Sequence, residues 1–279
     1  MELVARLPVI AGQAYAVYRN TFFNKSLNLH NPRDGLSTAE NFLRILRPDK
    51  SYTPEEAHLL DLCLIIHAEH GGGNASTFAT RVLSSTGTDT YSAIAAGIGA
   101  LKGPLHGGAN IKVQEMFYCV KANVRDPHND DELSDFLLRI LQGKANDGSG
   151  LIYGMGHAVY TKSDPRAVML KRYARQLAQD KGYGEDFELL ESIERLTPEV
   201  FNTYKGKHHD ICANVDLYSG LVYRMLGIPT EMYTPLFTIA RTAGWCAHRM
   251  EEILSSGKIM RPGYKCIERE RPYTELTRR

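Results

Sequence analysis

The chain has 279 residues, and Lys+Arg 33 against Asp+Glu 32 gives a formal charge of +1. That balance argues against a polybasic nucleic-acid binder and against an acidic tail protein. Hydrophobic residues at 43% and charged residues at 23% describe a globular chain, too apolar for disorder and long enough for a sizeable core in one or two domains.

Taken in order, the segments read as helix after helix. Ser37-Thr38-Ala39-Glu40 has the form of a capping box. So does Thr53-Pro54-Glu55-Glu56, with proline at the first helical position. The run from there to about His67 is apolar nearly all round, which predicts a buried helix. Residues 91–102 are rich in alanine and glycine, and the small side chains there suit close helix packing. Gly97-x-Gly99-x-x-x-Gly103 has the wrong spacing for a nucleotide loop, and no strand precedes it. Helices are expected over 111–120, over 131–141 from the spacing of Leu133, Phe136, Leu137, Ile140 and Leu141, and from Pro165 to about Lys181 with Gly182 as the stop. Two more are expected over 216–226 and 234–253, the second with Pro235 in its first turn. No alternating strand of useful length is present, so the fold class is all-α.

Export and membrane signals are not apparent. The apolar run Leu62-Cys63-Leu64-Ile65-Ile66 is far too short to span a bilayer. The N-terminal patch carries Glu2 and Arg6 without a signal-peptide layout, and the basic C-terminus is no lipidation or peroxisomal signal. Cys63, Cys119, Cys212, Cys246 and Cys266 are widely spaced, with no C-x-x-C. They argue against a disulfide framework or a zinc site and for a reducing, cytoplasmic setting.

Chemistry concentrates in glycine-rich loops at 71–74, 103–108 and 143–156. His67-Ala68-Glu69-His70 places two histidines three apart, either as a metal pair or, with no further ligands at metal spacing, as structural or substrate-binding groups. Asn74-Ala75-Ser76 has the form of a glycosylation acceptor, without consequence in a cytosolic chain. In Gly103-Pro104-Leu105-His106-Gly107-Gly108 a histidine precedes a helix whose N-terminus favours neutral imidazole, able to donate to an oxyanion. A turn histidine bonded to its own backbone is the alternative. Gly154-Met155-Gly156-His157 repeats the pattern and leads to Asp164-Pro165-Arg166, an arginine placed to hold a carboxylate or else to face solvent. Asp216 opens an apolar helix as a candidate general base or simply as an N-terminal acid. Arg241 lies among Ile239, Ala240 and Ala243, where a charge needs a partner, and Arg261-Pro262 follows the last long helix.

In order, spacing and wording, residues 67–76, 103–110, 154–166 and 214–220 resemble citrate synthase, and the resemblance covers essentially the whole chain. It implies an all-α, usually dimeric protein: a large domain from 1–109 and 228–279, and a small domain over 110–227 closing on the substrate. It implies condensation of acetyl-CoA with oxaloacetate and water to citrate and CoA, with no cofactor and no metal. By the resemblance, Asp216 matches the base that takes a methyl proton. His106 matches the group that stabilises the enol, and His157 the donor to the oxaloacetate carbonyl. His70, Arg166 and Arg241 match oxaloacetate ligands, and Asn74 joins them in the substrate-binding set. Arg261 matches the arginine that reaches the site across a homodimer interface. Neither nucleic acid nor membrane is an expected partner. A base removes a proton from a thioester methyl only if the enolate oxygen is stabilised at once, and a dianion needs convergent arginines; the implied roles meet both demands.

The sequence also departs from the family pattern. It starts in what resembles a mid-protein helix at residues 2–8, so the large domain is expected to be N-terminally short. Many members carry a basic residue where Ala158 or Thr161 stands, so contacts to the CoA phosphates are expected to differ, with Lys162 a candidate. The rival readings are a 2-methylcitrate synthase using propionyl-CoA, a citryl-CoA lyase, and a truncated, catalytically silent assembly subunit.

Overall fold

Capping chemistry sets the helix starts. In the computed structural model, which describes residues 1–157, 159–255, 257–269 and 273–278, there are eleven α-helices among the described residues. They are α1 (Glu2–Phe23), α2 (Thr38–Leu46), α3 (Pro54–His67), α4 (Ala75–Ser85), α5 (Thr90–Leu101), α6 (Ala109–Asn123), α7 (Asp130–Leu141), α8 (Pro165–Asp180), α9 (Gly184–Lys205), α10 (Asp216–Met225) and α11 (Tyr233–Ser255). Both expected capping boxes form. Ser37 Oγ accepts the Glu40 N–H at 3.2 Å and Thr53 Oγ1 accepts that of Glu56 at 3.2 Å. Each glutamate returns a bond to the backbone N–H of its cap residue. Gly182, with φ 76°, follows α8 as expected. The all-α class holds: β pairing among the described residues is one isolated bridge.

Two helices escape the sequence reading. α4 is built on Ser76, Thr77, Thr80 and Ser84, all buried. Their hydroxyls do not disrupt it, because Thr80 and Ser84 return theirs to carbonyls four residues back. α9 keeps Pro198 inside its 22 residues and buries Phe187, Leu189, Leu190, Ile193 and Leu196 on one side.

α11 packs against α1, α3, α4 and α5, while α10 packs against α6, α8 and α9, and α7 lies on α9. The contact of α3 with α8 joins the two groups. The small residues of α5 serve close packing, as expected: a Cβ on Gly97 would stand 2.6 Å from Thr80 Oγ1 and 3.1 Å from the Trp245 ring. Between helices, four connections carry the candidate chemistry: 68–74, 102–108, 142–164 and 206–215. The last two are stitched together. Met155 and Ala213 form the antiparallel bridge, Gly156 N–H donates to Cys212 O at 2.8 Å, and Asn214 N–H to Gly154 O at 2.9 Å. Gly154 sits at φ 82° with Leu217 where a Cβ would go, at 2.9 Å. The pairing holds the His157 loop against the start of α10, where Asp216 stands.

Candidate active site

His106 lies in the turn before α6, half-buried. Its Nε2 is 2.9 Å from Ser76 Oγ and 3.1 Å from Asn74 Oδ1. Ser76 Oγ also receives the buried Trp245 Nε1–H at 3.2 Å. The Ser76 hydroxyl therefore has its own proton to give, either to Asn74 Oδ1 at 2.9 Å or to the imidazole. Burial, followed by the charge of Arg241, holds the His106 pKa below the usual imidazole value.

His70, His157 and Arg166 converge. Arg166 Nη1 lies 3.3 Å from His70 Nδ1 and its Nη2 lies 3.3 Å from His157 Nε2, and the two imidazole rings are 5.0 Å apart. The His157 tautomer follows from its other nitrogen. Nδ1 accepts the backbone N–H groups of Val159 (3.0 Å) and Tyr160 (3.1 Å), so the neutral ring carries its proton on Nε2. The Nε2–H of His157 and the N–H groups of Arg166 are then neighbouring donors that cannot satisfy each other. An anionic oxygen between them would serve both.

Arg166 is not the solvent-facing arginine of the bland alternative, since 14% of its side chain is exposed. Nor is its whole fork free for a carboxylate. Asp164, which caps α8, takes the Arg166 backbone N–H at 2.9 Å, Nε at 3.0 Å and Nη2 at 2.8 Å. Burial alone would raise the Asp164 pKa, but these bonds and the guanidinium charge hold it below the usual range.

Arg241 is 1% exposed. Its partners are neutral: Nε donates to His67 O at 2.7 Å, Nη1 to Asn74 Oδ1 at 3.2 Å, and the guanidinium lies 4.8 Å over the Phe237 ring. Burial brings its pKa down to about 10. Burial, helped by the neighbouring arginines, also pushes His70 down to about 4. For Asp216 burial acts the other way. It lifts the carboxyl to about 6, with Arg166 and Arg241 only partly offsetting it. No hydrogen bond or ion pair occupies the Asp216 carboxylate among the described residues, while its backbone N–H donates to Asn214 Oδ1 at 3.0 Å. The site thus combines two arginine cations with histidines held neutral and one basic carboxylate.

His67 and His70 part company. His67 is buried, donates from Nδ1 to Cys63 O at 2.8 Å and meets Phe237 edge-on. Among the described residues, no group of three or more His, Cys, Asp or Glu could hold a metal ion. Arg261 lies exposed in the segment without regular structure after α11, and among the described residues it bonds to no other site residue. Lys162 borders a cavity behind Asp164, and Ala158 lies outside the described residues. The sequence reading missed Ser76, Trp245 and Asp164 as supports. It also missed a cavity of about 300 Å³ beside His157, lined by Ile152, Met155, Phe201 and His209. The Ser76 signal was present in Asn74-Ala75-Ser76, there read as a glycosylation form.

Fold and site together describe an all-α protein that gathers two arginines, neutral histidines and a carboxyl of raised pKa in one place. A family model described as citrate synthase, C-terminal domain, matches residues 1–263. The citrate synthase of Synechocystis sp. is 44% identical over 233 residues, covering 83% of this chain and 53% of that protein. That of Acidithiobacillus ferridurans is 37% identical over 285 residues, covering 100% of this chain and 66% of its own length. Among solved structures, citrate synthase from Thermoplasma acidophilum, in ternary complex with carboxymethyl coenzyme A and oxaloacetate, superposes with a TM-score of 0.78. It is 32% identical, with 100% of this chain and 68% of that one covered. Citrate synthase from Pyrobaculum aerophilum gives 0.77 at 33% identity, over 99% of this chain and 63% of that one. The chain belongs to the citrate synthase family. It spans about half to two thirds of the length of these curated relatives.

Proposed function

We propose that this chain is a citrate synthase that condenses acetyl-CoA with oxaloacetate, needing no resident cofactor. The observation that carries the reading is the convergence of His70, His157 and Arg166 on one point, near an unpartnered carboxylate with a raised pKa. Oxaloacetate, a dianion, sits among His70, Arg166 and Arg241, with Asn74 setting the last. Asp216 takes a proton from the acetyl methyl. Ser76 donates its hydroxyl to His106 Nε2, which leaves Nδ1–H to hydrogen-bond the thioester oxygen as the enolate forms. The enol carbon attacks the oxaloacetate ketone while His157 donates its Nε2–H as a hydrogen bond to the developing alkoxide, and the proton released from the acetyl methyl balances the new hydroxyl. Water then hydrolyses citryl-CoA to citrate and CoA.

The helices of the two packing groups correspond to a large domain over 1–109 and 228–279 and a small domain over 110–227, closing on the substrate to exclude water from the enolate. The active form is a homodimer, with the exposed Arg261 serving the partner's site. No described helix is long and apolar enough to cross a membrane, and the proposed setting is the cytoplasm.

Rates with acetyl-CoA, propionyl-CoA and citryl-CoA, each with oxaloacetate where it is a substrate, test the assignment. Acetyl-CoA is expected to give the highest kcat/KM. Preference for propionyl-CoA would make the chain a 2-methylcitrate synthase, a difference of one methylene worth about 1–3 kcal/mol. Cleavage of citryl-CoA to acetyl-CoA and oxaloacetate without condensation would make it a lyase.

A further inference from the structure

Arg241, Gly244 and His248 fall three and four residues apart on α11 and so share one face. Each meets the end of α3 or the connection after it, which carries His70. Arg241 Nε donates to His67 O at 2.7 Å. Gly244 lets Ala68 approach: a Cβ there would stand 2.2 Å from Ala68 O and 2.7 Å from Glu69 Oε2. His248 Nε2 lies 2.9 Å from Glu69 Oε2, with its Nδ1 3.5 Å from Glu251 Oε2. The other Glu69 oxygen accepts the backbone N–H of His70 at 2.8 Å and that of Gly71.

Glu69 therefore has one oxygen on α11 and the other on the peptide of His70 itself. Its pKa stays below the usual range because His248 and these N–H groups outweigh its partial burial. Beyond His70 the chain runs through Gly71, Gly72 and Gly73, with Gly71 at φ 83°. Three successive glycines resist little, so something outside them must fix where the His70 ring meets Arg166.

We propose that Glu69, held by His248, is a positioning residue that sets His70 against Arg166 and thereby sets the affinity for the dicarboxylate substrate. The proposal rests on the reading of His70 as an oxaloacetate ligand. The paired anchors explain why the loop is gripped through its backbone. α11 carries Arg241 two turns before His248, so one helix fixes both an arginine and a histidine of the same anion site.

The test uses the full chain with Glu69→Ala, Glu69→Gln, His248→Ala and the double variant E69A/H248A. Glu69→Ala is expected to raise the oxaloacetate KM ~10-fold or more, with kcat at saturating oxaloacetate within ~3-fold and the acetyl-CoA KM unchanged. Glu69→Gln, which keeps an acceptor for the two N–H groups, is expected to restore most of that affinity. The double variant should be no worse than Glu69→Ala, because both changes break one contact chain. An unchanged oxaloacetate KM in Glu69→Ala, a loss of kcat without a change in KM, or additive losses in the double variant would overturn the proposal. If the parent chain neither binds oxaloacetate nor makes citrate, the functional reading falls instead. Amide hydrogen exchange then decides on the strut. The His70 and Gly71 amides should exchange faster in Glu69→Ala and His248→Ala than in the parent, and equal rates would contradict it.

Discussion

A carboxyl with a pKa near 6 is half protonated at a pH where an ordinary aspartate is fully ionised. Asp216 is such a group, lifted by burial from 3.8 to about 6, and in the proposed reaction only its ionised form accepts the methyl proton. kcat/KM for acetyl-CoA should therefore rise with pH through about 6 and level off above it. His70, near 4, is already neutral across that range and should add no step there. A profile measured from about pH 5 to 8 checks this; a flat profile over that range would contradict Asp216 as the base. At this scale much of the site was legible, because His106, His157, Arg166 and Asp216 stand beside glycines, prolines and helix starts that mark functional loops. Their supports were not. Ser76 lies in a tripeptide that has the form of a glycosylation acceptor, and its bonds to Trp245 and His106 span 169 and 30 residues. Asp164 stands two residues before Arg166 in the sequence, yet its triple hold on Arg166 depends on side-chain geometry that spacing does not contain.

Glu56 shows how one element end ties two helix groups together. It caps α3, is 3% exposed, and receives both Arg47 at 2.6 Å and Lys181 from the end of α8. Burial works against its charge, but Arg47, Lys181 and the Thr53 N–H bring its pKa down to about 2. A depressed native pKa contributes stability above the ordinary glutamate value near 4.5, and that contribution is lost as pH falls toward 2. Glu56→Gln is expected to cost roughly 2–4 kcal/mol at neutral pH by leaving two cations short of a partner. The cost should shrink with acidification, which urea unfolding at neutral pH and near pH 3 would reveal; an equal loss at both would contradict the ion-pair account. Capped, apolar helices such as α3 could be read from sequence because local propensity and tertiary packing agree. α4 could not, since its buried face is made of serine and threonine hydroxyls that satisfy themselves only once the helix exists. α9 was obscured by Pro198 inside it.

For the whole molecule, the order of four loops along the chain carried the family likeness, whereas the way α6 to α10 gather apart from the α11 group emerges only in three dimensions. The proposed dimer makes a sharp prediction. Asp216→Asn and Arg261→Ala chains should each be nearly inactive, yet chains unfolded and refolded together should regain activity. A mixed dimer then holds one site with an intact Asp216 from one chain and an intact Arg261 from the other. No recovery on mixing would contradict the shared site.

The central claim is that this chain makes citrate with Asp216 as the base. The direct measurement is mass spectrometry of the products after the purified chain meets acetyl-CoA and oxaloacetate, in parallel with Asp216→Asn. The expected result is citrate from the parent chain and a loss of ~100-fold or more in the variant. Folded parent protein that yields no citrate, or a variant that makes it equally fast, would contradict the account.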